Sequence, residues 1–157
     1  MKVVVDTNVL VSGILSAEGP PGRIVDWIIE GHLRVCCNSR IIAEYELVLR
    51  RPKLALSGLL VARLLTQMTP ARELASGVPL LHHLPDASDE VFLEAALAGS
   101  VDCLITGNLK HFPLSCRQGM RVLSPKEFLE FYADRQSGGS GKVKSPSTRY
   151  KAKRRRS

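Results

Sequence analysis

Apolar residues along this chain fall into short continuous runs, separated by longer stretches in which they recur at helical spacing. Lys2 to Val5 carries three consecutive valines. Leu33 to Cys37 and Val101 to Ile105 repeat the pattern, and Arg121 to Leu123 is a shorter version. Runs that are continuous rather than alternating predict strands buried on both faces of a sheet. Val78 to Leu84 predicts a weaker strand. Between these runs, Val9, Leu10, Ile14 and Leu15 predict a helix over Thr7 to Ser16. Gly19, Pro20, Pro21 and Gly22 predict a loop. Ile24, Trp27 and Ile28 predict a helix to Glu30, stopped by Gly31. Ile41, Ile42, Tyr45 and Leu49 predict a helix capped by Ser39 and closed by Pro52. Leu56 to Met68 and Ser88 to Ala98 predict two more, the second ended by Gly99. Pro125 starts a last helix that reaches about Ala133.

Strands alternating with helices predict an α/β fold around a mainly parallel sheet. At 157 residues the chain fits one domain with a sizeable core. Aromatic residues make up only 5%, so that core rests on aliphatic side chains, and few rings remain to stack on bases.

Charge divides the chain into two parts. Ser137 to Ser157 holds Lys142, Lys144, Arg149, Lys151, Lys153, Arg154, Arg155 and Arg156 and no acid. The net charge of +7 therefore belongs to this tail, because the other residues carry fourteen bases against fifteen acids. The expected organisation is a folded domain over residues 1–136 and a disordered basic tail over 137–157. The tail's chemistry suits nonspecific, salt-sensitive capture of RNA; a solvated arm or a linker scar at Ser137 to Gly141 is the plainer reading. No apolar run approaches the roughly 20 residues that span a bilayer, and the start of the chain lacks a signal-peptide layout. Cys36, Cys37, Cys103 and Cys116 form no C-x-x-C pair, so thiols in a reducing cytoplasm are expected.

Ligands of open α/β sheets bind beyond the carboxyl ends of the strands. Asp6 stands directly after the first strand, with Asn8 and Ser12 following on the first helix. An N-cap role alone would explain Asp6. Glu44 lies beside the apolar stripe of its helix, where an acid needs a partner or a metal unless it reaches water. Asp86, Asp89 and Glu90 lie where the chain enters the helix that starts near Ser88. The helix dipole accounts for Glu90 more easily than for three acids in five residues. Thr106, Gly107 and Asn108 follow the Val101 strand; a plain turn would explain them. Lys110 and His111 come shortly after and are ordinary surface residues unless they meet a substrate backbone. Taken together, these groups could converge on one crevice and offer the oxygen donors that a hard cation such as Mg²⁺ requires.

Val3-Val4-Val5-Asp6-Thr7-Asn8-Val9-Leu10-Val11-Ser12 resembles the opening motif of PIN-domain nucleases. Ser39 to Lys53, with Glu44 and Leu49-Arg50-Arg51-Pro52-Lys53, resembles the second. Pro85 to Ala98, followed by Asp102 to Asn108, resembles the third and fourth. Leu123 to Leu129 resembles the closing strand and helix. The ordered set covers about residues 1 to 133 and is closest to toxin components of type II toxin–antitoxin pairs. The resemblance implies a three-layer α/β/α fold with a central, mainly parallel sheet. It also implies an endoribonuclease dependent on Mg²⁺ or Mn²⁺. Asp6, Glu44 and Asp89 match its catalytic, metal-holding acids, and Asp86 matches an acid near the third. Asn108 stands where the family commonly has Asp; its amide oxygen can reach a metal or its water but brings no charge. Thr7, Asn8, Ser12, Thr106 and Lys110 become candidates for substrate contact or for supporting the acids. The implied partners are RNA, a small antitoxin protein and a second copy of the chain. The alternative is a catalytically silent relative that binds RNA or a protein. A nucleotide-binding module is disfavoured, since no Walker loop or G-x-G-x-x-G follows a strand.

Overall fold

The computed structural model describes residues 1–68 and 79–140. Its sheet has four strands: β1 (Lys2–Val5), β2 (Arg34–Val35), β3 (Cys103–Ile105) and β4 (Val122–Leu123). They lie in the order β2-β1-β3-β4, and every pairing is parallel. Val3, Val4, Val5, Cys103, Leu104 and Ile105 are all wholly buried. That burial on both faces is what the unbroken apolar runs predict, and flanking helices supply the cover.

Among the described residues, six α-helices accompany the strands: α1 (Thr7–Leu15), α2 (Pro20–Ile29), α3 (Ser39–Leu49), α4 (Gly58–Met68), α5 (Glu90–Gly99) and, after β4, α6 (Pro125–Ser140). Tyr45 of α3 donates its hydroxyl to the Val5 carbonyl, pinning that helix to the end of β1. Trp27 of α2 packs on Tyr132 of α6, ring centroids 4.5 Å apart. From the end of β4, α6 runs back toward the start of β3, where Arg135 lies 3.5 Å from Asp102.

Several local expectations are corrected. Pro20 and Pro21 do not form a loop; they are the first turn of α2, where a missing N–H costs nothing. The positive φ of Gly19 (94°) turns the chain into that helix. Asn38, not Ser39, caps α3, its side-chain oxygen accepting the Ile41 amide at 3.0 Å. The fourth helix starts at Gly58 rather than Leu56, with the Ser57 hydroxyl accepting from the Leu60 amide. No strand forms over Pro79 to Leu84; Val78 lies outside the described residues. The last helix continues past Ala133 to Ser140, so residues 137–140, expected in the disordered tail, are helical; the rest of that tail, 141–157, lies outside the described residues.

The chain leaves β1 for β2 on one side and later enters β3 on the other. The strand order therefore reverses between β1 and β3, which opens the crevice where such sheets bind ligands. Close packing of α1 on α2 holds the wall beside it. A Cβ on Gly13 would fall 2.5 Å from both the Pro21 carbonyl oxygen and Val25 Cγ2. Gly13→Ala should therefore destabilise the fold by about 1–3 kcal/mol. The urea midpoint should fall while the slope of the transition stays unchanged.

Candidate active site

Asp6 leaves the end of β1 with extended backbone and stands at the N-cap position of α1, yet its carboxylate makes no capping hydrogen bond. It turns instead across the crevice, where the Thr106 hydroxyl donates to Asp6 Oδ2 at 2.9 Å. Thr106 Oγ1 in turn accepts the Asn108 amide at 3.1 Å, and the Gly107 amide donates to Asn8 Oδ1 at 3.2 Å. The segments that follow β1 and β3 are thus joined by side chains where the ladder ends.

Glu44 reaches the same place from α3, and the buried Thr7 hydroxyl donates to its Oε2. Glu46, two residues on, is exposed. Asp89 arrives from the other side, at the end of a single 3-10 turn (Ala87–Asp89) that leads into α5. Asp86 caps this turn, accepting from the Ser88 amide and hydroxyl at 2.9 and 2.7 Å. Glu90 takes no part: it faces back to the Leu84 amide and the His83 ring. Ser12 and Lys110 are exposed, and neither donates or accepts a side-chain hydrogen bond within this network.

His111 is the residue whose role the sequence concealed. Its Nδ1 lies 2.8 Å from Asp89 Oδ2, and its Nε2 lies 2.9 Å from Asn108 Nδ2. Among the described residues, ligand atoms of Asp86, Asp89 and His111 all fall within 4.8 Å of one another. The turn from Leu109 to His111 brings the imidazole under Asn108. The Asn108-x-x-His111 spacing was the available signal, but it has no meaning until the short 3-10 turn is known.

The electrostatics describe carboxylates in need of a counter-charge. Burial pushes the Asp6 carboxyl up from 3.8 to about 6; the Thr106 hydrogen bond opposes this, and the charges of Asp89 and Glu44 add to it. Burial also raises Asp89, against the pull of His111, with Asp86 and Glu44 adding repulsion. The hydrogen bonds from Ser88 hold the exposed Asp86 below its ordinary value. Asp89 Oδ2 is buried, with His111 Nδ1 2.8 Å away. Buried, mutually repelling carboxylates fit a divalent cation, which takes oxygen donors and cancels the repulsion.

All four cysteines are free, and burial pushes the Cys37 and Cys103 thiols up to about 12. Cys37 and Cys103 act as small apolar residues, not nucleophiles. No helix among the described residues is long and apolar enough to cross a membrane.

The shift at Asp6 sets a pH dependence. A carboxyl raised in the folded state binds its proton more tightly there than in the unfolded chain. Stability therefore falls as pH rises from about 4 to 6, and the full cost is present above that. In EDTA at pH 7.5, Asp6→Asn should raise stability by on the order of 1–3 kcal/mol, and at pH 4 it should be nearly neutral. Urea unfolding at the two pH values checks this. A variant less stable at pH 7.5 would mean that the charge is already compensated.

Comparison with known proteins identifies a family. A model of the PIN domain matches residues 2–110, a span that includes Asp6, Glu44, Asp86, Asp89 and Asn108. The uncharacterized protein MJ1680 of Methanocaldococcus jannaschii is 26% identical over 141 residues, covering 83% of this chain and 90% of that protein. No solved structure is significantly similar to the chain. With most of its length matched, and with an all-parallel sheet presenting acids at its strand-order reversal, the chain belongs to the PIN-domain family.

Proposed function

We propose that this chain is a divalent-metal-dependent endoribonuclease in which Asp6, Glu44 and Asp89 hold Mg²⁺ or Mn²⁺. The observation that carries the reading is the buried carboxylate cluster itself. Asp6 is raised to about 6 and Asp89 also lies above its ordinary range, both primarily through burial. Uncompensated acids of this kind are costly to a fold, and they concentrate where chemistry needs them. A bound divalent ion supplies Lewis acidity to a phosphodiester and to an attacking water alike.

The protein's own groups then have distinct work. Thr106 fixes the Asp6 carboxylate, and Thr7 fixes that of Glu44, so neither needs to reorganise when substrate arrives. Glu44 or Asp89 orients the attacking water. Asn8 and Lys110, exposed at the mouth of the crevice, meet the RNA backbone. In the cell we place the protein in the cytoplasm as the toxin of a toxin–antitoxin pair, acting as a homodimer and restrained by a small antitoxin protein. That placement rests on the resemblance of the ordered motifs. A second reading, a silent relative that binds RNA without cutting it, draws on Asn108, which brings no charge where an acid is common.

Incubating purified protein with a mixed RNA pool in Mg²⁺, Mn²⁺ or EDTA, beside Asp6→Asn, decides between them. Cleavage that requires metal and drops by at least about a hundredfold in Asp6→Asn supports the enzyme. Cleavage in EDTA, or equal cleavage by the variant, would place any nuclease activity elsewhere. Metal and RNA binding without cleavage would favour the silent relative.

Deleting residues 141–157 removes all eight tail cations from a body that carries one net negative charge. Truncation should weaken RNA binding at low salt. It should also flatten the slope of log affinity against log salt by about 0.7 for each phosphate that the tail neutralises. An unchanged slope would show that the tail does not hold RNA.

A further inference from the structure

His111 brings a nitrogen donor into a cluster otherwise made of carboxylates. Its Nδ1 stands 2.8 Å from the buried Asp89 Oδ2. Asp89 as a whole is only 8% exposed. Two polar atoms this close are either a hydrogen-bonded pair or neighbouring ligands of one ion, and the tautomer of the ring decides which. Metal–donor lengths of about 2.1 Å at right angles put adjacent donors about 3 Å apart. Asp86 completes the group, all three ligand atoms lying within 4.8 Å of one another.

The other face of the ring is also specified. His111 Nε2 is 2.9 Å from the Asn108 side-chain amide. A neutral imidazole has one donor nitrogen and one acceptor, and a carboxamide offers a partner for either. With Asn108 Nδ2 toward the ring, Nε2 accepts and the proton sits on Nδ1. With the amide turned over, Asn108 Oδ1 accepts from Nε2–H, and the Nδ1 lone pair faces Asp89 and Asp86. A ligating histidine whose second nitrogen donates to an oxygen is the usual arrangement around a protein-bound metal.

We propose that Asp86, Asp89 and His111 form a mixed nitrogen–oxygen site for a transition-metal dication, with His111 Nδ1 as a ligand and Asn108 as the positioning residue that holds its tautomer. The proposal deepens the metal-dependent reading above, adding a donor of a different class to the same crevice. Imidazole favours first-row transition ions over Mg²⁺, so this group discriminates Mn²⁺ from Mg²⁺ where an all-oxygen set accepts either. It also gives Asn108 a role that needs no charge.

The test is pulsed electron paramagnetic resonance of the full-length protein loaded with one equivalent of Mn²⁺, beside calorimetric titration of Mn²⁺ and Mg²⁺. Modulation from a directly bound imidazole nitrogen is expected in the wild type and in Asp6→Asn. It should vanish in His111→Gln, with circular dichroism confirming that variant's fold. His111→Gln should weaken Mn²⁺ by about tenfold or more while leaving Mg²⁺ within about twofold. Asn108→Asp should keep the nitrogen signal and Asn108→Leu should weaken it. Bound Mn²⁺ without nitrogen modulation, or equal losses for both ions in His111→Gln, would overturn the proposal. A protein that shows the nitrogen signal but cleaves no RNA would leave this site standing and remove the nuclease reading. Metal-dependent cleavage without the signal would do the reverse.

Discussion

The register of β1 against β3 pairs Val5 with Ile105, and one residue further along both chains it sets the Asp6 carboxylate beside the Thr106 hydroxyl. Much of the site hangs on that seam. The Asp6 amide still donates to the Ile105 carbonyl, so the acid is presented from the last rung of the sheet rather than from a loose loop. Thr106 also gathers the Asn108 amide, so one hydroxyl links the first acid to the segment that carries His111. A one-residue slip would turn Asp6 to the other face of the sheet and break both links. The valine and isoleucine side chains that forbid the slip are thus as much part of the site as the acids.

The same seam makes the cluster expensive. Asp6 and Asp89 are buried, and each is raised by desolvation and by other acids as well. Such an arrangement survives because the surrounding core is well filled. Tyr45 and Phe92 stack beneath it with centroids 6.5 Å apart, and both rings are essentially inaccessible. Glu44 and Tyr45 are consecutive on α3: one points into the acid cluster, the other anchors the helix by hydrogen bonding to Val5. A helix that supplies a functional carboxylate is therefore held by the very next residue.

Much of this was legible in the chain. Continuous valine and isoleucine runs identify buried parallel strands because burial on both faces leaves no polar alternation to see. Acids directly after such runs then fall where an α/β sheet binds ligands, which is how Asp6 stands out, and Glu44 stands out as an acid beside an apolar stripe. What the chain concealed depends on geometry shorter than one helical period. Pro20 and Pro21 read as loop residues, although their fixed φ suits the first helical turn equally well. Ser39 and Asn38 are both good caps, and only the backbone decides which one acts. Asp89 and Glu90 are adjacent acids with opposite assignments. The 3-10 turn ending at Asp89 rotates one into the crevice and the other toward Leu84. His111 was hidden for the same reason, lying at the end of a three-residue turn with no hydrophobic pattern to orient it.

Asn108 is best understood through charge. Asp6, Glu44, Asp86 and Asp89 already place four carboxylates around one crevice, and the raised values of Asp6 and Asp89 come in part from their acidic neighbours. A fifth acid at position 108 would add to that repulsion unless a second full cation were always present. An amide adds none, and its two ends can serve the neighbouring imidazole in either protonation arrangement. His111 meanwhile lowers the Asp89 carboxyl through its charge, offsetting some of the cost of burial. The amide and the imidazole together do by polarity and positioning what an additional acid would do by charge, and they ask less of the fold when no metal is bound.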